Sequence, residues 1–474
     1  MRKGFLIVLA VALVAALAAP AVAGTDINGF YRAKGYISNY NGVPLTAAAP
    51  PGDNTLNLQN DPPTSAYVDQ RMRLRFSSGE ENVKAVAFFE IDFSSWGDSA
   101  GSAAPAGGAA RNSGGALGGD KINLETKNVY VWFKVPNTSI DFTVGLQNQS
   151  DTYAGIIYGA ADMAGIFMTG KMEPVTFKLG WAKLYENTQW RSDDLDLYVA
   201  EVKLQPTKDI KLGLNFNYIQ DDTQKEISAT SLPFATVSRN AKKIYTPGID
   251  FAVGAGPATI SGFAFYQWGT IDSYEAAVPD VDVSGYALDL RADANLGPAK
   301  VFLEGLYISG GDGTGNDYKS IITLSDLNAS PGGNSAYGRT DMELLLFNND
   351  DINTSQSLVG TAAATTSQSP GLGGRGITHF AAGASMQLMP KLTGKVGLGY
   401  LMATKKLSVA DANRKGKGMG TELNANVNYN ITKGLDFGLY GAYAWLGDFY
   451  QFNSPGAKDP DDIYDVHARL NYAF

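Results

Sequence analysis

The chain has 474 residues and a formal charge of −9, since 38 Lys and Arg stand against 47 Asp and Glu. It has no cysteine, which excludes disulfide frameworks, thiolate metal sites and cysteine nucleophiles, and its two histidines leave little for histidine-based chemistry. Only 18% of the residues are charged and the balance is acidic, so neither a disordered acidic chain nor a nucleic-acid-binding protein is expected.

The N-terminus has the three parts of a secretory signal peptide. Arg2 and Lys3 are basic, an apolar run of 15 residues follows, and Ala21-Val22-Ala23 fits a small-residue cleavage site. The alternative is a transmembrane anchor, but a spanning helix needs about 20 apolar residues and this run is shorter. We therefore expect residues 1–23 to be removed and residues 24–474 to form one exported domain.

Apolar and polar residues alternate along the mature chain in segments of roughly 9–13 residues, the length that a tilted membrane-spanning strand requires. From Leu423 to Ile431 every odd position is apolar and every even position is asparagine. From Val68 to Phe76 apolar side chains alternate with Arg71, Arg73 and Arg75. Such alternation predicts strands with one apolar and one polar face.

The pattern predicts eighteen strands, an even number that places both termini at one end of the sheet. Sixteen is the alternative, because the weakly alternating segment 163–172 could belong to an inserted loop. The predicted strands are 27–38, 66–77, 82–93, 124–135, 140–148, 163–172, 174–185, 195–205, 210–220, 244–254, 258–270, 283–296, 299–309, 377–389, 391–404, 419–431, 434–446 and 462–474.

The connectors alternate between tight turns and long loops. Gly256-Pro257 and Gly297-Pro298 are tight, whereas residues 94–123, 221–243 and 310–376 are long and rich in small and polar residues. A soluble β-sandwich would show the same local alternation, but one-sided connectors are typical of outer-membrane barrels, with short periplasmic turns and long external loops. The sequence therefore predicts an all-β fold, a transmembrane antiparallel β-barrel.

The last predicted strand ends on Phe474, with Tyr472 on the same face. This terminal aromatic pattern looks like the signal by which the barrel-assembly machinery recognises outer-membrane proteins. An ordinary amphipathic strand is the alternative reading of the pattern alone.

The first predicted strand contains Gly29-Phe30-Tyr31-Arg32-Ala33-Lys34-Gly35-Tyr36, and the segment with Arg71, Arg73 and Arg75 follows it. Together with the barrel layout and the terminal Phe474, these segments resemble the homotrimeric outer-membrane porins of Desulfovibrio-type sulfate-reducing bacteria. The resemblance implies a trimer of separate pores that pass small hydrophilic solutes.

Strand parity places a basic set of side chains on the inner face of the first three strands. A Lys or Arg side chain that faced lipid at the membrane midplane would cost roughly 2–4 kcal/mol, so the basic side chains must face water. Like charges this close together also require acidic partners. The predicted pore-lining set consists of Arg32, Lys34, Arg71, Arg73, Arg75 and Lys84, with Glu90 as a neighbouring acid.

In general porins the loop at this ordinal position, after the fifth strand, folds into the barrel and narrows it. The resemblance assigns this role to residues 149–162 and places Asp151 and Asp162 opposite the arginines. The segment is apolar and rich in small residues, which supports the assignment because such a loop needs shelter from water. The alternative is a further wall strand, with the arginines in purely structural ion pairs.

The predicted function is passive diffusion of ions and small hydrophilic solutes through a water-filled channel, with weak selectivity. A channel selective for a sugar or an organic acid is the alternative, because parity also places Tyr130 and Trp132 inward. An enzyme is not expected, since no nucleophile motif accompanies His379 or His467.

No cofactor is expected. External acids such as Asp350 and Asp351 could hold divalent cations that bridge lipopolysaccharide phosphates, with a merely solvated rim as the alternative. The expected partners are outer-membrane lipid and lipopolysaccharide, the barrel-assembly machinery and further copies of the chain in a homotrimer, and the expected location is the bacterial outer membrane.

Overall fold

A computed structural model describes residues 24–40, 61–62, 64–96, 124–186, 189–224, 240–274, 278–327, 335, 337–346, 358–359 and 369–474. The predicted signal peptide, Asp350 and Asp351 lie outside the described residues. Within those ranges, no helix is long and apolar enough to cross a membrane.

The described residues form one sheet of nineteen strands, of which eighteen are long and antiparallel. The remaining strand, β14, has two residues and lies in a loop, parallel to β12. The strands are β1 Gly24–Ser38, β2 Ser65–Glu80, β3 Val83–Ser95, β4 Glu125–Lys134, β5 Ile140–Gln149, β6 Ala161–Met172, β7 Val175–Glu186, β8 Asp194–Thr207, β9 Ile210–Asp221, β10 Asn240–Ala255, β11 Ala258–Ser273, β12 Val281–Leu296, β13 Ala299–Ile308, β14 Asp317–Tyr318, β15 Ile377–Met389, β16 Leu392–Ala403, β17 Gly418–Thr432, β18 Leu435–Leu446 and β19 Ile463–Ala473.

The sheet closes on itself, because β1 pairs with β2 on one side and with β19 on the other. Phe474 completes the seam, since its N–H donates to the Gly29 carbonyl at 3.1 Å and its carbonyl accepts from the Gly29 N–H at 3.0 Å. Closure leaves no edge strand with unpaired backbone groups. The predicted barrel of eighteen strands is confirmed, and the sixteen-strand alternative is wrong because the weak segment 163–172 is part of β6.

The two ends of the barrel differ as the connectors predicted. The tight turns lie at one end, together with Gly24 and Ala473, and the long loops lie at the other. Gly256 and Gly297 each adopt a φ of +63° in two-residue turns between neighbouring strands, a conformation that glycine reaches without strain.

The outer face of the barrel is apolar over most of its area. Leu214 and Leu303 are each 64% exposed, although both are large aliphatic side chains in the middle of strands. Near one rim, Tyr218 and Tyr245 stack at 4.6 Å between ring centroids, and Tyr245 stacks on Trp268 at 5.7 Å. An apolar band bordered by stacked aromatic rings fits the hydrocarbon and interface of a bilayer, and not water.

The inner face departs from simple alternation in one respect. On β6 to β16, many inward side chains near the loop end are apolar and buried, so the inner face is not uniformly polar. They pack against loops that fold into the barrel and form a dry core with them. Among them are Leu195, Leu197, Ile219, Phe263, Phe265, Ala287, Leu306, Ile377 and Leu401.

Replacing Leu290 by Arg tests the lipid-facing assignment. Leu290 is 56% exposed on the outer face of β12, and an arginine there should lower the free energy of unfolding in lipid vesicles by about 2–4 kcal/mol. Leu296 lies on the same face at the end of the strand and is the matched control. Leu296→Arg should lower the free energy of unfolding by about 0–1 kcal/mol, and denaturant unfolding in lipid vesicles measures both variants. Equal losses for both variants would show that Leu290 does not face hydrocarbon.

Candidate functional site: the lumen and its inner loops

A short inner loop, residues 150–160, turns into the barrel after β5. The side chains of Tyr153, Ile157 and Tyr158 are fully buried. The carboxylate of Asp151 organises the loop, because it accepts backbone hydrogen bonds from Tyr153 at 2.8 Å, Gly155 at 2.8 Å, Ile157 at 2.6 Å and Tyr158 at 2.9 Å. The loop therefore folds around one of its own side chains inside the barrel, and its role in narrowing the channel stays a prediction.

The short inner loop packs on β9 and β11. The ring of Tyr153 lies 4.7 Å from that of Phe265 and 5.8 Å from that of Phe263. The hydroxyl of Tyr158 donates to the side chain of Asn217 at 3.4 Å. These contacts fix the loop against the wall and shelter its apolar residues from water.

The described parts of residues 309–376, called here the long inner loop, also enter the barrel. Ile321, Leu344, Leu345 and Leu346 are fully buried in its described parts. The side-chain amide of Gln267 on β11 donates to the Ile322 carbonyl at 3.0 Å and accepts from the Ile322 N–H at 2.6 Å. Because the buried Gln267 amide makes hydrogen bonds to both backbone groups of Ile322, it fixes the position of that part of the loop.

Residues 337–346 of the long inner loop form a strap across the inner wall. At one end, Tyr337 and Arg339 both bind the carboxylate of Asp289 on β12. Arg291 on the same strand donates to the Arg339 carbonyl at 2.6 Å and to Glu304 on β13 at 2.6 Å. This end of the strap is held by charge-assisted hydrogen bonds, the stronger class of hydrogen bond in proteins.

At its other end, the strap is held by β16 and β17. Asp341 pairs with Lys395, and its carbonyl accepts from the side chain of Asn424 at 2.8 Å. The carboxylate of Glu422 accepts the backbone N–H groups of Glu343 at 2.6 Å, Leu344 at 3.0 Å and Leu345 at 2.8 Å. The strap thus spans the wall from β12 to β17.

The two inner loops are joined to each other. The Ile157 carbonyl accepts from the Leu324 N–H at 3.0 Å and from the Ser335 hydroxyl at 3.0 Å, and the Gly338 N–H donates to the Ala154 carbonyl at 2.7 Å. Together the loops are anchored on β9 to β17. Sequence reasoning missed the part played by the long loop; the apolar run Leu344-Leu345-Leu346 in a polar connector was the available sign.

The predicted basic set lies on β1, β2 and β3, outside the stretch that anchors the inner loops. Arg32, Lys34, Arg71 and the acid Glu90 are buried, Arg73 and Arg75 are partly exposed, and Lys84 is exposed. Glu90 pairs with Arg73 and lies 3.7 Å from the Nε atom of Arg71. Glu90, on the adjacent wall strand, is therefore an acidic partner of both arginines.

The two loop acids predicted to face the arginines require correction. The Asp151 carboxylate is occupied by four backbone N–H groups of its own loop. Asp162, at the start of β6, binds Lys127 at 2.8 Å, Asn128 at 2.8 Å and Asn148 at 2.9 Å, and not the arginines. The predicted loop position of Asp162 is wrong because β6 begins at Ala161, so Asp162 belongs to a wall strand and not to the inner loop.

A lumenal pocket of about 450 Å³ lies beside the basic set. Arg75, Lys84, Tyr130 and Trp132 line it, together with side-chain amides such as Gln147. The guanidinium of Arg75 donates to the Tyr130 hydroxyl at 3.4 Å, and the indole N–H of Trp132 donates to Asp141 at 3.1 Å. The parity prediction that Tyr130 and Trp132 face the lumen therefore matches the geometry.

The two histidines each have a carboxylate partner. His379 lies 2.8 Å from Glu304, and His467 lies 2.7 Å from Asp465. Among the residues that the structure describes, no group of three or more His, Asp or Glu is arranged to hold a metal ion.

Changing Asp151 to Asn tests its role in shaping the short inner loop. The amide offers one acceptor oxygen where the carboxylate offers two, so two backbone N–H groups lose their partner at a cost of about 1–3 kcal/mol. We expect the amides of residues 153–158 to exchange with deuterium roughly tenfold faster or more, as measured by mass spectrometry. The control Asp162→Asn, at the start of β6, should leave this exchange unchanged. An unchanged rate in Asp151→Asn would contradict the assignment.

Comparisons with known proteins bear on the fold. No family model matches the chain, and no curated protein matches it. Several solved structures from Pseudomonas aeruginosa are similar over 95% of this chain and 98% of their own: OccK5 (OpdH) at 12% identity and a TM-score of 0.51, OpdL at 10% and 0.54, and the outer membrane protein OpdK at 11% and 0.50. The chain therefore has the closed barrel fold of these bacterial proteins.

Proposed function

We propose that the protein is a porin of the bacterial outer membrane, a water-filled channel through which ions and small hydrophilic solutes diffuse passively. The observation that carries the proposal is the division of the closed barrel: apolar side chains cover the outside, while charged side chains line an inner wall on β1 to β3. A polar, hydrated path lowers the barrier that about 30 Å of hydrocarbon presents to a hydrated solute. The protein performs no bond chemistry in this role.

The inner loops shift this path to one side of the barrel. They occupy the lumen against β6 to β17, so solutes would pass along the opposite wall, where Arg73, Arg75 and Lys84 remain at least partly exposed. Glu90 offsets part of that positive charge, since it pairs with Arg73 and lies near Arg71. We therefore propose a weak preference for anions, with the charges of the external loops playing little part because water and salt screen them.

Arg73→Glu tests the preference for anions. The change reverses one charge on the pore wall and leaves Arg71 as the remaining partner of Glu90, so the reversal potential in a salt gradient should move toward cation selectivity. Lys458→Glu makes the same change on an exposed external loop and should leave the reversal potential nearly unchanged. Planar-bilayer recordings of the purified protein measure both. A wild-type permeability ratio beyond about tenfold, or equal shifts in both variants, would contradict the proposal.

The lumenal pocket favours a second candidate function, a channel selective for a sugar or an organic acid. The faces of Tyr130 and Trp132 can stack on a sugar ring, and the nearby amides can bind its hydroxyl groups. Arg75 and Lys84 add positive charge that would attract a carboxylate.

Trp132→Ala separates the two candidates by solute flux into liposomes. A selective channel should show saturable flux and competition within one class of solute, and removal of the indole should weaken the apparent affinity by about tenfold, equivalent to roughly 1.4 kcal/mol. Trp181→Ala, on the outer face, is the control. Flux that stays linear with concentration in the wild type would exclude the selective channel and leave the diffusion porin.

We also propose a homotrimer, supported by the resemblance of the first strands to trimeric porins, and targeting through the cleaved residues 1–23. Outer-membrane lipid and lipopolysaccharide would surround the apolar belt. Phe474 supports recognition by the barrel-assembly machinery, because it ends the strand that closes the seam and its side chain remains 42% exposed.

A further inference from the structure

The strap ends in a buried cluster of acidic groups. Glu422 holds the backbone of residues 343–345 through its carboxylate, and Glu422 is fully buried. Glu343 is 5% exposed and lies near both Glu422 and Asp465. Asp465, on β19, is also fully buried. Seating the strap therefore brings a loop carboxyl group against two carboxyl groups of the wall.

Charged groups from several strands surround Glu343. Glu422 on β17 and Asp465 on β19 are the acids that face it, and Lys34 on β1 and Lys395 on β16 are the cations. Lys395 also pairs with Asp341, which Arg291 on β12 faces as well. Asp465 pairs with His467, near Arg469 on β19, and Tyr440 on β18 stacks on His467 at 4.7 Å. A carboxyl group buried beside two other carboxyl groups favours its neutral form.

The hydrogen-bond pattern agrees with a proton in the cluster. The Oε2 atom of Glu343, the Oδ2 atom of Asp465 and the Nε2 atom of His467 are buried and have no hydrogen-bond partner among the described residues. Burial, followed by the charges of Glu422 and Asp465, raises the pKa of the Glu343 carboxyl well above its usual range. A carboxyl group at this position is stabilised in its neutral form.

We propose that this cluster makes the strap a pH-sensitive restriction of the channel, seated when the cluster holds a proton and released when the proton is lost. The inference rests on the proposed channel function. Release needs only the Glu422 end of the strap to move, because Tyr337 and Arg339 hold the other end on Asp289.

The direction of the effect follows from linkage. When the strap leaves its seat, Glu343 enters water and its pKa returns to the ordinary value, so the seated state binds more protons than the released state. Seating is therefore favoured at acidic pH and lost as the pH rises through the raised pKa of Glu343. For one proton, the ratio of released to seated channels changes by up to about tenfold per pH unit.

Single-channel recordings of the full-length protein in planar bilayers between pH 5 and pH 9 test the proposal. The wild type should populate a lower conductance at acidic pH and a higher one at alkaline pH. Glu343→Gln carries a neutral amide that cannot ionise, so it should stay in the low-conductance state throughout. Glu422→Gln loses an acceptor for the strap backbone and should favour the high-conductance state. Asp459→Asn, which pairs with Lys415 on the external rim, should keep the wild-type response.

Deuterium exchange provides a readout that needs no conduction. After correction for the intrinsic pH dependence, the amides of residues 343–345 should be more protected at acidic than at alkaline pH. Channels whose conductance does not change with pH, or a Glu343→Gln variant with the wild-type pH response, would overturn the pH-sensitive strap and leave the porin intact. If the protein formed no channel, the porin proposal would be wrong. In that case, protection of residues 343–345 that does not depend on pH would contradict the pH-sensitive strap as well.

Discussion

The structure depends on the closed ring of backbone hydrogen bonds. In hydrocarbon, an unpaired N–H or C=O group costs several kcal/mol, so a sheet can cross a bilayer only if it has no edge. The seam between β1 and β19 meets this condition, and the bonds between Gly29 and Phe474 extend it to the last residue. In a closed sheet every second side chain faces the outside, and this explains why apolar and polar residues alternate along the strands.

Closure also creates an interior that the chain uses in two ways. Against β6 to β17 the inner loops build a dry core, with Tyr153, Ile321 and Leu344 fully buried. On β1 to β3 the wall carries arginines and lysines with Glu90 between them. In the proposed channel, solute passage would be limited by loop packing on one side and by charge on the other. The point where Glu422 holds the strap lies between the loop core and the charged wall, because Lys34 on β1 is near Glu343 of the strap.

The sequence was sufficient to predict the strands of the barrel, but it was not sufficient to predict how the inner loops pack inside it. Strand parity is a local property: the weak strand that it indicated is part of β6, and Trp132, which it placed inward, lines the lumenal pocket. Loop positions depend on contacts distant in sequence, such as those of Arg339 with Asp289 and of Leu345 with Glu422. No local pattern reports such contacts, and the inward apolar residues Leu195 and Leu197 are intelligible only once the loops are in place.

The most direct test of this account is cysteine accessibility, which the cysteine-free chain makes simple. Single cysteines along residues 423–431 of β17 and at positions 195 and 197 of β8 would be exposed to a membrane-impermeant maleimide in lipid vesicles. The account predicts that cysteines at 426, 428 and 430 react, whereas those at 425, 427 and 429, facing lipid, and those at 195 and 197, beneath the loops, do not. Equal reactivity at odd and even positions of β17 would contradict the division between lipid outside and water inside.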